Sequence, residues 1–204
     1  MSVSGRLNYE SPYIRRARRP AAQHRLFCLP HAGAGVGSYA AWASLLPPEV
    51  EVVVIQLPGR EDRINEPAFT EAAALVRSVM QVLRPYLQLP FSFFGHSGGA
   101  LFGFELTRAL RTQYHREPAH LFVSGQSAPD LVDQSPTLHT LPNSDFIEAV
   151  YGLGGTARTV VDDPQLMNIV LPALRTDVAM WEQYRFEPGP RLTVPITAFG
   201  GTIV

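Results

Sequence analysis

Gly95-His96-Ser97-Gly98-Gly99 sets a serine inside a G-x-S-x-G pentapeptide, with the apolar run Pro90 to Phe94 before it and the helical run Ala100 to Leu110 after it. That order reads as strand, tight turn and helix. A serine on such a turn is forced into a strained, exposed position at the carboxyl end of a parallel sheet, where its hydroxyl can reach a carbonyl carbon. Ser97 is therefore the candidate nucleophile. Gly95 and Gly99 follow from sterics, because strand and helix approach too closely there to leave space for side chains. Acyl chemistry at this serine also needs hydrogen-bond donors for the tetrahedral oxyanion, and the backbone N–H of Gly98 is one. The second is assigned to the Ala32 N–H, in the small-residue loop Pro30-His31-Ala32-Gly33-Ala34-Gly35 that follows the first predicted strand. No lysine followed by Ser or Thr closes that loop, which argues against a phosphate-binding role.

A serine nucleophile needs a base, and hydrolases with this elbow usually carry Ser, acid and His in that chain order. The six histidines are His24, His31, His96, His115, His120 and His139, and none follows the last predicted strand. The acid and the histidine of a triad are thus expected to be absent from the sequence. His139 is the one stand-in. Asp145, Asp162, Asp163 and Asp177 read more simply as helix caps and solvated groups.

The elements that position these residues alternate. Leu26 to Leu29 reads as a buried strand, Ser38 to Leu46 as a helix, and Glu51 to Leu57 as a strand whose Val52-Val53-Val54-Ile55 core suits burial on both faces. Thr70 is placed as the N-cap of a helix to about Tyr86, with Leu75, Val76, Val79, Val82 and Leu83 at helical spacing and Pro85 marking its end. The strand Pro90 to Phe94, the elbow, a helix to about Tyr114 and the strand Ala119 to Ser124 follow. Such alternation predicts an α/β chain with a mostly parallel sheet flanked by helices. Between Gln126 and Pro190 the strands stop. Helices are expected at Ser144 to Gly152, capped by Ser144, and at Pro164 to Arg175 and Thr176 to Tyr184, with Asp162 or Asp163 as cap. Residues 126–189 are read as a helical lid inserted into a core formed by 1–125 and 190–204. Leu166, Met167, Leu171, Met180 and Trp181 then either line an apolar substrate chamber or pack the lid onto the core. Leu192 to Phe199 is the last strand.

The totals bound the reading. A chain of 204 residues with 46% hydrophobic and 17% charged residues is globular and buries one substantial core. A net charge of −1 predicts no nucleic-acid partner. Arg15, Arg16, Arg18 and Arg19 form a basic cluster, read as a solvated edge, with contact to an acidic protein or a membrane surface as its functional alternative. No apolar run approaches the roughly 18 residues that span a bilayer, and there is no signal core, so a cytoplasmic protein with no membrane partner is expected. Cys28, the only cysteine, reads as a small buried hydrophobe and leaves no cysteine metal cluster; no metal is expected.

Three stretches carry a family resemblance: Phe27-Cys28-Leu29-Pro30-His31-Ala32-Gly33, then Gln56-Leu57-Pro58-Gly59-Arg60-Glu61-Asp62-Arg63, then Phe93-Phe94-Gly95-His96-Ser97-Gly98-Gly99-Ala100. In their order and spacing the chain resembles the type II, or editing, thioesterases of polyketide and nonribosomal peptide biosynthesis, in the α/β-hydrolase superfamily. The Pro-Gly-Arg-Glu stretch is the most discriminating, because general lipases and esterases lack it. Two departures stand out. The family commonly has Met or another larger residue after the nucleophile where this chain has Gly98, which bears on pocket shape. It also places its aspartate just after the strand ending near Gly201, where this chain has Thr202-Ile203-Val204, and its histidine on a later loop; the C-terminal part of the fold is accordingly expected to be missing.

The resemblance implies a serine thioesterase that hydrolyses acyl groups from the phosphopantetheine arm of acyl or peptidyl carrier proteins, clearing aberrant or stalled units during antibiotic biosynthesis. It implies no cofactor of the enzyme's own, since the phosphopantetheine belongs to the partner. Carrier proteins are acidic, so Arg15 to Arg19, or Arg60 and Arg63, are candidate contacts; the structural alternative for Arg60 is anchoring of a loop. The competing functions are a general serine carboxylesterase and a truncated, non-catalytic fragment that binds carrier proteins.

Overall fold

The computed structural model describes residues 6–132, 137–154 and 162–201. Its centre is built by strands whose side chains alternate between two buried faces: β3 (His24–Leu29), β4 (Val50–Ile55) and β5 (Phe91–His96). With β1 (Asn8–Ser11), β2 (Ile14–Arg16), β6 (His120–Ser124) and β7 (Ile196–Phe199) they form a seven-stranded sheet in the order β1-β2-β4-β3-β5-β6-β7. All pairs from β4 to β7 are parallel; β1 with β2 and β2 with β4 are antiparallel. Parallel neighbours require crossovers, and the helices supply them. One face carries α2 (Ala72–Leu83) and α3 (Gly98–Tyr114), where Leu75, Val79, Phe102 and Leu106 meet Phe27, Val53, Ile55 and Phe93. The other face sets Tyr39 and Ala43 of a 3-10 turn (Val36–Tyr39) and the one-turn α1 (Trp42–Leu45) against Leu26, Cys28, Val52 and Val54. This is the mostly parallel, helix-flanked sheet expected from the strand and helix alternation, in the α/β-hydrolase arrangement that the family resemblance implies.

The N-terminal hairpin β1/β2 was not expected from the sequence, and its physical reason also corrects the reading of the basic cluster. Its second strand carries arginines where periodicity looks for apolar residues. Arg15 is buried and paired with Asp62, Arg16 pairs with Glu10 at 3.0 Å, and the buried Arg19 donates to the carbonyls of Ala43, Leu46, Pro47 and Val50. Arg18 is 68% exposed and still meets Glu10 at 2.7 Å. Instead of a solvated edge, these cations bolt the hairpin to the sheet, and they are not a free basic patch for an acidic partner.

Smaller differences follow local chemistry. The helix expected at Ser38 to Leu46 is divided into the 3-10 turn and α1, with the Tyr39 hydroxyl tied to the Leu29 carbonyl at 2.8 Å. Thr70 does not cap α2; Glu71 takes that position with no side-chain hydrogen bond. Between β6 and β7 the described residues include two helices, α4 (Asn143–Gly152) and α5 (Pro164–Glu182). Ser144 does not cap α4 but bonds Asp145 at 3.0 Å. Asp163 caps α5 as expected, accepting from the Gln165 and Leu166 N–H groups at 2.9 and 3.2 Å, with Pro164 in the first turn. The two helices expected to meet at Arg175 and Thr176 are one helix. It continues through Pro172 because Ala173, Leu174, Asp177 and Met180 are buried along a single face, and that packing outweighs the hydrogen bond a proline removes. Thr202, Ile203 and Val204 lie outside the described residues.

Candidate active site

Ser97 stands between β5 and α3 with φ 51° and ψ −127°, a backbone conformation costing about 1–3 kcal/mol for a residue with a side chain. Its surroundings hold it there: the Ser97 N–H donates to the Ser124 carbonyl and the Ala100 N–H to the Ser97 carbonyl, both at 2.8 Å. A Cβ on Gly95 would overlap the Gly99 carbonyl and sit 2.7 Å from the Ala100 nitrogen; one on Gly99 would lie 2.5 Å from the Leu29 oxygen. Both glycines are thus required by the close passage of α3 over β5 and the end of β3. Gly98 is the first residue of α3, so its N–H has no partner within the helix and is free to face an oxyanion.

Ala32 lies in a reverse turn closed by the Ala34 N–H to the His31 carbonyl at 3.0 Å. Gly33 has φ +71° and Ala32 a negative φ, which makes it a type II turn, with glycine where the positive φ demands it. The turn is tied to the rest of the molecule at several points. The Gly33 N–H donates to Asp177 Oδ2 at 2.8 Å, and Arg60 grips the same carboxylate with both terminal nitrogens, at 2.5 and 3.1 Å. The Arg60 and Asp177 side chains are 5% and 4% exposed. Further along, the Glu61 carboxylate accepts from the N–H groups of Val36 and Gly37 at 3.1 and 2.9 Å, and Gln56 accepts from Val36 at 3.1 Å.

The Gln56 to Arg63 stretch therefore acts on the 31–37 loop. Arg60 is the loop anchor of the structural alternative and not a surface contact. Arg63 is also buried, donating to Glu66 at 2.5 Å and lying 4.0 Å from the Tyr13 ring centroid, so neither arginine offers a carrier-facing charge. Asp177, read from sequence as a cap or solvated group, is instead the central acceptor of this cluster. The signal for it was an acid on the same helical face as Ala173, Leu174 and Met180, a placement that calls for a buried cation.

That face of α5 touches all three sequence motifs. Ala173 is 3.6 Å from where a Gly59 Cβ would stand, Leu174 is 3.0 Å from that of Gly33, and Trp181 Nε1 is 2.5 Å from that of Gly98. Residues 173 or 174, 177 and 181 recur at helical spacing, so one stripe spans the turn, the anchor and the elbow. Trp181 was not foreseen in this role. Its indole fills the space that a larger residue after the nucleophile would need, and it packs on Phe102 and Tyr184 at centroid distances of 6.5 and 6.2 Å. The other apolar residues of the helical segment divide their roles: Met180 joins the main core, Leu171 packs with Phe146 and Leu174, and Leu166 is exposed.

Four of the six histidines hold side-chain partners other than Ser97. His96 Nδ1 is 3.1 Å from Ser124 Oγ, and its ring meets His31 edge-on at 5.6 Å. His24 and His120 bond Ser92 and Thr197 at 2.9 and 2.8 Å. His139, the stand-in base, is paired with Glu182, which also accepts the Leu138 and His139 N–H groups; this contact pins the Leu138–Thr140 turn to α5. A pocket of about 360 Å³ opens between the 31–37 loop, Gly59 to Glu61 and Ile169 to Leu174. A larger groove of about 760 Å³ lies away from Ser97, between α2, α3 and Met180 to Glu187. No helix among the described residues is long and apolar enough to cross a membrane.

A family profile described as Thioesterase domain matches residues 24–202. The gramicidin S biosynthesis protein GrsT of Aneurinibacillus migulanus is 42% identical over 181 residues, covering 89% of this chain and 71% of that protein. Thioesterase PikA5 of Streptomyces venezuelae is 37% identical over 198 residues, covering 96% and 70%. Among solved structures, the type II thioesterase BorB from the borrelidin biosynthetic cluster superposes with a TM-score of 0.86 at 35% identity, covering 95% of this chain and 79% of that one.

Proposed function

The chain belongs to the thioesterase domain family, whose members are hydrolases acting on thioesters, and on that premise we propose that it clears acyl groups from the phosphopantetheine arm of acyl or peptidyl carrier proteins in a cytoplasmic polyketide or nonribosomal peptide pathway. Ser97 is the nucleophile. Its Oγ attacks the thioester carbonyl carbon while a histidine base, of the kind the family resemblance implies, takes the proton. The oxyanion then accepts from the Gly98 N–H at the start of α3 and from the Ala32 N–H in the turn after β3. Collapse of the intermediate expels the phosphopantetheine thiol, and water releases the acid from the acyl-serine. The helical segment 126–189 serves as the lid over this site. The chemistry calls for no cofactor beyond the arm that the carrier brings.

The observation that carries this reading is the backbone of Ser97, held at φ 51° by an elbow whose two glycines are sterically required. The test is release of acyl groups from acylated holo-carrier protein, followed by mass spectrometry of the carrier, alongside hydrolysis of a matched oxygen ester. Thioester turnover well above ester turnover, reduced by at least about a thousandfold in Ser97→Ala, is expected. Equal rates on the oxygen ester would favour a general carboxylesterase, and undiminished turnover in Ser97→Ala would remove Ser97 from the mechanism.

A further inference from the structure

We infer that Asp177 is a positioning residue for the oxyanion turn, acting through its bond to the Gly33 N–H, and that Arg60 serves to keep that carboxylate buried and oriented. The inference rests on the assignment of the Ala32 N–H as an oxyanion donor. A type II turn differs from a type I turn by a flip of its central peptide, here the Ala32–Gly33 unit. Gly33 can adopt both conformations, so its own stereochemistry leaves that choice open. In the observed turn the Gly33 N–H points at Asp177 Oδ2, 2.8 Å away. In the flipped turn the Ala32 carbonyl would swing toward the carboxylate, oxygen against oxygen, in a site where both ionic side chains are at least nine-tenths buried. The carboxylate thereby selects one peptide orientation, and with it the backbone that carries the adjoining Ala32 N–H.

Asp177 lies on α5, a helix of the segment proposed as the lid, whereas Arg60 and Gly33 belong to the loops that follow the interior strands β4 and β3. Helix and oxyanion turn are consequently coupled: displacing α5 from the core removes the acceptor that holds the turn. The productive arrangement of the turn belongs to the docked state of α5.

A test must separate this role from simple stability, because removing one member of a buried ion pair leaves the other uncompensated. Two double variants do so. Arg60→Met with Asp177→Leu replaces the pair with apolar side chains and takes away the acceptor; Arg60→Met with Asp177→Asn also removes the charges but leaves an amide oxygen for the Gly33 N–H. Both are expected to fold, as judged by thermal unfolding. With acyl-phosphopantetheine as substrate, kcat in the Leu variant should fall at least tenfold with KM changed less than threefold, and the Asn variant should recover most of that loss. Equal kcat values in the two folded variants, or a loss confined to KM, would overturn the inference. Amide hydrogen exchange at Gly33 is an independent readout: protection should persist in the wild type and the Asn variant and vanish in the Leu variant. If the wild type hydrolyses no thioester, the functional reading falls, and the exchange pattern alone decides whether Asp177 holds the turn; equal protection in both variants would refute it.

Discussion

Gly98 and Trp181 share one volume, approached from opposite sides. The residue after the nucleophile is small here, and the indole from α5 occupies the space that a side chain at that position would take. Changing Gly98→Met should force the indole away from Phe102 and destabilise the fold by about 1–3 kcal/mol, the usual range for overpacking. Combining it with Trp181→Leu should restore most of that loss, so the double variant is more stable than the sum of the two single changes. Thermal unfolding of the four proteins measures the coupling, and additive losses would mean that the two positions do not compete. Sequence alone displayed half of this arrangement. The departure from the family at Gly98 was visible; the compensation lies 83 positions away, on a helix whose face could not be oriented without the fold. Ser97, Gly95 and Gly99 were legible because their constraint is local, whereas the partnership of Arg60 with Asp177 crosses 117 positions.

At the scale of elements, α5 has a proline in its interior and still runs for 19 residues. The periodic apolar residues on both sides of Pro172 were readable, but their union was not, since it depends on the stripe that docks against the turn, the anchor and the elbow. Its N-terminus rests on local chemistry. Asp163 satisfies two otherwise unpaired N–H groups, and Asp163→Ala should cost about 1 kcal/mol in chemical denaturation with little change in the denaturant slope. The hairpin β1/β2 escaped prediction for the opposite reason. Its strands are held by arginines bonded to carboxylates and carbonyls, and hydrophobic periodicity does not register polar burial of that kind. The parallel strands β3 to β6 were readable because each is an apolar run between turn signals.

For the molecule as a whole, stability should depend on pH through a few identifiable groups. Burial holds the His24 imidazole below its ordinary pKa of 6.5, with the ring bonded to Ser92. The unfolded chain therefore binds that proton more readily than the folded one. Its contribution to stability is complete above about pH 6.5 and declines as pH falls through the folded pKa below that value. Desolvation by itself would raise the Glu10 carboxyl, but the Arg18 hydrogen bond and the Arg16 and Arg18 charges together outweigh it, so Glu10 titrates below its usual 4.5 and its contribution is lost at still lower pH. Melting temperatures recorded from pH 7.5 to 5 should fall, and His24→Gln should flatten the slope near pH 6; an unchanged slope would show that His24 does not govern it. The position of Cys28 has a different consequence. It is the chain's only thiol, completely buried in β3 between Val54 and Phe94, with burial raising its pKa. A thiol reagent can reach it only when the middle of the sheet comes apart. Nature has thus installed a single-site clock whose modification rate counts complete openings of this protein, with no label to engineer and no competing cysteine to subtract.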